Sequence, residues 1–150
     1  LCKNIGADEV IDYRNNDVTS ILSGSEKQYD FVLDNIGNNA ALYWKSPSFT
    51  KTGAKYVQIG SEANMSAMLD LAYRFLVPQS LGGGQRPFAF GMTSTDFDHF
   101  TTLAQMLADG KLKPVIDETF AFEDAPNAYK KLKTGRAKGK IVVRVGSSHE

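Results

Sequence analysis

Apolar residues in this chain fall into two kinds of run. Short continuous runs rich in β-branched and aromatic residues alternate with longer stretches whose apolar positions return every three or four residues. The first kind marks strands, the second amphipathic helices. Phe31-Val32-Leu33, closing on Asp34, reads as a strand buried on both faces of a parallel sheet. Residues 54–59, entered through a turn at Gly53, read as a second buried strand, and Phe88 to Phe90 as a third. Glu9 to Tyr13 alternates and carries β-branched residues, so it reads as a short strand. Residues 115–122 are extended, and residues 141–145 form the last strand.

The helices lie between these runs. Lys3-Asn4-Ile5 before Gly6 reads as a helix end, because Gly commonly sits just past one. Residues 17–22 form a short helix stopped by Gly24, and residues 39–45 another, halted near Pro47. Met65, Met68, Leu69, Ala72, Phe75 and Leu76 share helical spacing, which predicts an amphipathic helix over 64–77 ended by Pro78, with Met65 and Met68 as core filler. A glycine-rich connection follows at 81–86. Phe97, Phe100, Leu103, Ala104 and Leu107 share one face of a helix capped by Thr95 and stopped by Gly110. Asp124 and Pro126 open another helix, with Ala128, Tyr129 and Leu132 inward and Gly135 behind it. Residues after Gly146 read as a frayed tail. Strands alternating with helices predict an α/β fold with a parallel sheet. The runs closing on Asp34, Gly60 and Gly91 put polar or permissive residues at strand C-terminal ends, where open α/β sheets bind ligands.

Composition narrows the function. A chain of 150 residues with 42% hydrophobic and 23% charged residues suits one folded core. Seventeen basic residues balance seventeen acidic ones, so nucleic-acid binding has no electrostatic support. The single cysteine, Cys2, allows no internal disulfide and fits a reducing compartment, and two histidines are too few for a Cys/His zinc site. No apolar stretch approaches the roughly 20 residues that cross a bilayer.

Three motifs carry a more specific signal: GADEVIDY at 6–13, FVLDNIG at 31–37 and GKLKPVID at 110–117, supported by GRAKGKIVV at 135–143. Their order and spacing resemble the C-terminal half of a medium-chain dehydrogenase/reductase, the superfamily of zinc-type alcohol dehydrogenases and quinone oxidoreductases. Within it, the chain looks most like the NADPH-dependent branch that contains the mitochondrial reticulon-interacting oxidoreductases and their fungal relatives. The resemblance implies a partial Rossmann-type parallel sheet over 1–92 and, over 93–150, the return segment of a GroES-like substrate domain. In the family's strand order 3-2-1-4-5-6, the chain supplies strands 3, 4, 5 and 6. Strands 1 and 2, the glycine-rich pyrophosphate turn and the zinc ligands are then expected in an upstream N-terminal half, which is the partner this half needs. No metal is expected in these residues.

The resemblance also implies hydride transfer from NADPH, with NADH not excluded, to a small-molecule substrate such as a quinone or enone. It implies a cytoplasmic or mitochondrial protein and is compatible with a homodimer. Carried over residue by residue, Tyr13 lies beside the adenosine end of the cofactor. Asn35, Ile36 and Gly37 line the ribose. Gly60 and Ser61 approach the nicotinamide, and backbone around Phe90 and Gly91 holds the carboxamide. Arg136, Ala137 and Lys138 face the pyrophosphate. The residue types suit these roles, since Tyr supplies a flat stacking face, Gly permits close approach, and cations meet phosphates. On this reading, a β-branched side chain at Gly60 fills space that the nicotinamide needs. No residue stands out as a catalytic acid.

Taken alone, each of these residues has a plainer role. Tyr13 caps a strand as a half-buried aromatic or contacts a cofactor. Asp34 caps the next turn through its carboxylate or touches a ribose. Gly37 and Gly60 make tight turns or admit a ligand. Gly82-Gly83-Gly84 lacks the Lys-Ser/Thr continuation of a phosphate loop and reads as a mobile connection. Lys130, Lys131 and Lys133 form a solvated face, and Glu123 and Asp124 sit at a helix start where the dipole favours them. Two functions from different classes remain: the C-terminal part of an oxidoreductase, or a non-catalytic remnant that interacts through an exposed sheet edge.

Overall fold

The structure, a computed structural model, describes residues 1–62, 64–91 and 96–146. The expected cap Thr95, the expected domain boundary between 92 and 93, and the tail after Gly146 lie outside the described residues. The chain forms two compact units, one of Ala7–Thr93 and one of Leu1–Gly6 with Ser94–Glu150.

In the first unit, three parallel strands form a sheet in the order β1 (Tyr29–Asp34), β2 (Thr50–Gln58), β3 (Phe88–Phe90). Helix α1 (Val18–Gly24) precedes β1, α2 (Ala40–Trp44) follows it, and α3 (Met65–Leu76) links β2 to β3. This is part of a Rossmann-type α/β sheet. Local chemistry starts the helices: the Asp17 carboxylate accepts from Thr19 N at 3.0 Å, and the Asn64 side chain accepts from Ala67 N at 2.8 Å. Strand β2 begins four residues before its expected start. Thr50 pairs with Tyr29 but Lys55 pairs with Phe31, and Gly53, at φ 84°, lies in the extra backbone between them.

The core of this unit is aromatic. Tyr43, Phe49, Ala54 and Tyr56 are buried, and Tyr43 meets Tyr56 and Phe88 edge-to-face at 5.2 and 5.1 Å between ring centroids. The glycine-rich connection is packed into it. A Cβ on Gly84 would lie 1.7 Å from the Tyr43 hydroxyl, and one on Gly83 would lie 1.9 Å from the Val77 carbonyl. These glycines serve close packing, not a loose connection.

Three expectations are corrected here. Residues 9–13 form no strand, because among the described residues no strand pairs with them. Strand β1 forms as expected, but Phe31 and Leu33 are each 51% exposed, and among the described residues only β2 pairs with it. Helix α3 is turned round: Met65 and Met68 are 70% and 62% exposed, while Arg74 is buried. The ring of Phe75, from the helix's side, still packs on Phe88.

In the second unit, β4 (Ile116–Ala121) and β5 (Lys140–Arg144) pair in parallel, joined through α5 (Ala125–Lys133). Ala128 packs inward, but Tyr129 and Leu132 are exposed, against expectation. Helix α4 (Phe97–Ala108) has Asp96 at its N-cap, accepting from Asp98 N at 3.0 Å, and leaves its apolar stripe of Phe97, Phe100, Leu103 and Leu107 exposed. No helix among the described residues is long and apolar enough to cross a membrane.

Candidate cofactor site

The C-terminal ends of β1 and β2 are built around a carboxylate and two glycines. Asp34 closes β1. Its Oδ1 accepts from Ile36 N at 3.0 Å and Gly37 N at 2.8 Å, which folds the chain back at the strand end. Its Oδ2 accepts from the Tyr56 hydroxyl at 2.8 Å. Both carboxylate oxygens are engaged by the protein, and Asp34 caps the turn as one of its two expected roles requires. Burial and the Asp34 carboxylate push the Tyr56 hydroxyl far above its ordinary value of 10.0, so it remains a donor at any working pH.

The turns after β1 and β2 touch backbone to backbone. A Cβ on Gly60 would stand 2.4 Å from the Asn35 carbonyl oxygen and 2.6 Å from that of Ile36. A Cβ on Gly37, at φ 66°, would stand 2.0 Å from the Gly60 carbonyl oxygen and 2.4 Å from the Gln58 amide nitrogen. Each glycine is therefore required by the other turn, whatever ligand approaches. Gly60 does not adopt a positive φ. Its missing side chain leaves room for Asn35 and Ile36.

Beside the β1 turn lies a hollow of about 520 Å³, lined by Tyr13, Asp17, Asp34, Ile36, Asn38 and Leu42 among others. Tyr13 is 73% exposed and Ile36 63%, so a ring face and an aliphatic face border the same open space. The structure thus brings Tyr13 and Ile36 together, and Gly37 with Gly60. Phe90 pairs with Gln58 across the sheet, and Gly91 N–H donates to the Gln58 carbonyl at 2.8 Å, so this N–H is not free for a ligand.

The remaining expected residues lie in the second unit. Arg136 is exposed, with its N–H directed to Thr134 Oγ1 at 3.2 Å. Ala137 and Lys138 border a hollow with Val115 and Lys140. Asp117 lies beside this loop. Its carboxylate receives the Lys131 ammonium at 2.7 Å, which holds it below the ordinary carboxylate value of 3.8, and the nearby Lys138 acts in the same direction.

Sequence reading passed over Gln58 and Arg74. Gln58 is buried, donates from Nε2 to the Gly60 carbonyl at 2.7 Å, and accepts at Oε1 from Arg74 Nη1 at 2.7 Å. A signal was present: position 58 follows Ala54 and Tyr56 in the alternation of β2, so its amide had to face inward. Asn38 and Asn39, which also line the Tyr13 hollow, carry no comparable signal.

Residues 5–143 match the sequence profile of a family described as zinc-binding dehydrogenase. The chain belongs to the zinc-binding dehydrogenase family. It is 42% identical, over its whole length, to the trans-enoyl reductase pgmF of Aspergillus terreus, of which it spans 43%. It is 32% identical over 97% of its length to the human mitochondrial NAD(P)H oxidoreductase RTN4IP1, spanning 39% of that protein. The quinone oxidoreductase of Coxiella burnetii superposes over 96% of this chain and 41% of its own, with a TM-score of 0.69 at 21% identity, which shows the shared fold. The chain thus spans about two-fifths of the length of its curated relatives. Among the described residues, no group of three or more His, Cys, Asp or Glu could hold a metal ion.

Proposed function

We propose that this chain forms the cofactor-side portion of an NAD(P)H-dependent reductase acting on an activated double bond or a quinone. Residues up to about 92 would bind the dinucleotide, and those from 93 would return to the substrate-side domain. The observation that carries this reading is the hollow at the C-terminal end of β1. It lies where open α/β sheets bind ligands, and its lining combines the aromatic Tyr13, the aliphatic Ile36 and the amide residues Asn38 and Asn39. That combination fits a nucleoside: a flat base for an aromatic face, and hydroxyls for amides.

When bound, the nicotinamide supplies the hydride. The chain's own residues hold and exclude. Asp34 keeps the β1 turn in shape, Gly37 and Gly60 let the two turns meet, and the Arg136-Ala137-Lys138 loop offers cations to phosphates. The trans-enoyl reductase named among the relatives supports the alkene as substrate. Phe31 and Leu33 on β1, and the outward stripes of α3 and α4, are apolar surfaces that an N-terminal half would cover.

The test is the gene's full-length product. NADPH oxidation should be followed with an enoyl thioester and with a quinone, alongside an NADPH fluorescence titration. Turnover with either acceptor supports the proposal. Absence of both turnover and NADPH binding overturns it.

A further inference from the structure

The polar face of α3 is buried beneath the β2 turn, in an arrangement the cofactor reading does not use. Arg74 has a side chain only 4% exposed. Its guanidinium lies over the rings of Tyr43 and Phe88, 4.6 and 5.2 Å from their centroids. It pairs with Asp70 one helical turn away, and Asp70 Oδ1 also accepts from Trp44 Nε1 at 2.8 Å. The guanidinium Nη1 then donates to Gln58 Oε1. Held this way, the Gln58 amide has one orientation: its nitrogen must face the Gly60 carbonyl, to which it donates at 2.7 Å. The same nitrogen sits 2.4 Å from where a Cβ on Gly37 would be, so it fills the space between the two strand-end turns.

We propose that Gln58 and Arg74 are positioning residues, which fix the Gly60 turn against the Gly37 turn and so set the wall on which the nicotinamide rests. This rests on the cofactor reading above. Burying an arginine on a helix face is costly unless its partners are specific. Here they converge on one carbonyl at a strand end, not on the general core. A wall displaced by about 1 Å can reduce turnover by roughly 100-fold through misalignment of the reacting atoms.

The experiment uses the full-length enzyme with Gln58→Glu and Arg74→Met. Glu keeps the volume and the pairing with Arg74 but places an acceptor against the Gly60 carbonyl. Met keeps packing on Tyr43 but releases the Gln58 amide. The readouts are the melting temperature, kcat, the KM for NADPH, and the face from which deuteride leaves NADPH stereospecifically labelled at C4. The expected result for folded Gln58→Glu is a fall in kcat of about tenfold or more with KM little changed, as when an interaction acts in the transition state. Transfer should become mixed between the two faces, with Arg74→Met changing in the same direction. A folded Gln58→Glu enzyme with normal kcat and strict face selectivity would overturn the positioning role while leaving the reductase reading intact. If both variants fail to fold, the pair is structural and the proposal falls. A wild-type enzyme that neither binds nor oxidises NADPH overturns the reductase reading, and this inference with it.

Discussion

The hydroxyl of Tyr56, buried near the C-terminal end of β2, donates to Asp34 Oδ2 at the end of β1, 2.8 Å away. The bond ties the carboxylate that shapes the β1 turn to the aromatic core. Tyr56→Phe removes a donor to a charged acceptor and should destabilise the fold by about 1.5–3 kcal/mol. A denaturant titration comparing the two proteins measures it. An unchanged midpoint would mean that the Ile36 and Gly37 N–H groups alone hold Asp34.

The same pair predicts an alkaline limit. The folded-state value of Tyr56 lies far above its ordinary 10.0, so its contribution is intact below about pH 10 and is lost as pH rises above that, where the unfolded chain ionises first. Wild-type melting temperature should therefore fall more steeply than that of Tyr56→Phe between about pH 9.5 and 11, a window set by that ordinary value. Parallel curves for the two proteins would contradict the burial argument.

Gly60→Ala should destabilise the protein before it affects any ligand. The added methyl would meet the Asn35 carbonyl at 2.4 Å, in backbone that cannot move aside without shifting the β1 turn. Overpacking of this kind costs about 1–3 kcal/mol. A thermal melt and soluble yield report it. A mutant that melts normally yet loses NADPH affinity would instead point to direct contact between Gly60 and the cofactor.

Tyr13→Ala should do the reverse. The ring is largely exposed and borders the β1 hollow, so its loss should leave the melting temperature nearly unchanged. The loss of one stacking face should weaken NADPH binding by about 1 kcal/mol. A dissociation constant equal to wild type would remove Tyr13 from the site.

The sequence made element types legible more readily than burial. Periodicity identified α3, but the stripe of Met65, Met68, Leu69 and Leu76 lies on the side of the helix opposite the Ala67, Leu71 and Arg74 positions that face inward. The buried guanidinium is admitted because Asp70, Gln58 and the Tyr43 ring engage it, while Trp44 holds Asp70. Those partners lie 4 to 31 positions away, beyond any local pattern. Strand β1 was readable from Phe31-Val32-Leu33, yet its exposure depends on what lies beside it, which no single segment encodes. The same is true of residues 9–13, whose alternation meets no strand to pair with among the described residues. At the site, Gly37 and Gly60 were visible as permissive positions, but not that each makes room for the other. Gln58 was overlooked because an amide in a strand looks incidental until its two neighbours in the fold are known.

The last prediction concerns the loop at 136–138. Asp117 pairs with Lys131, which also meets Glu118, and its carboxylate lies near Lys138 of the loop. Its carboxyl is held below 3.8, first by the Lys131 hydrogen bond, so the anchoring is present above that ordinary value and is lost as pH falls through the lowered one. At neutral pH, Asp117→Asn removes the charge that Lys131 and Lys138 meet. The Lys138 amide should exchange faster in Asp117→Asn than in wild type at about pH 7, with amides of β5 beyond Ile141 little affected. If the proposed cofactor role of this loop holds, in full-length enzyme the variant should also weaken NADPH binding more than it lowers the melting temperature. Unchanged Lys138 exchange would show that Gly139, packed on the Val115 carbonyl, holds the loop without Asp117. Faster exchange with unchanged NADPH affinity would place the loop outside the cofactor site.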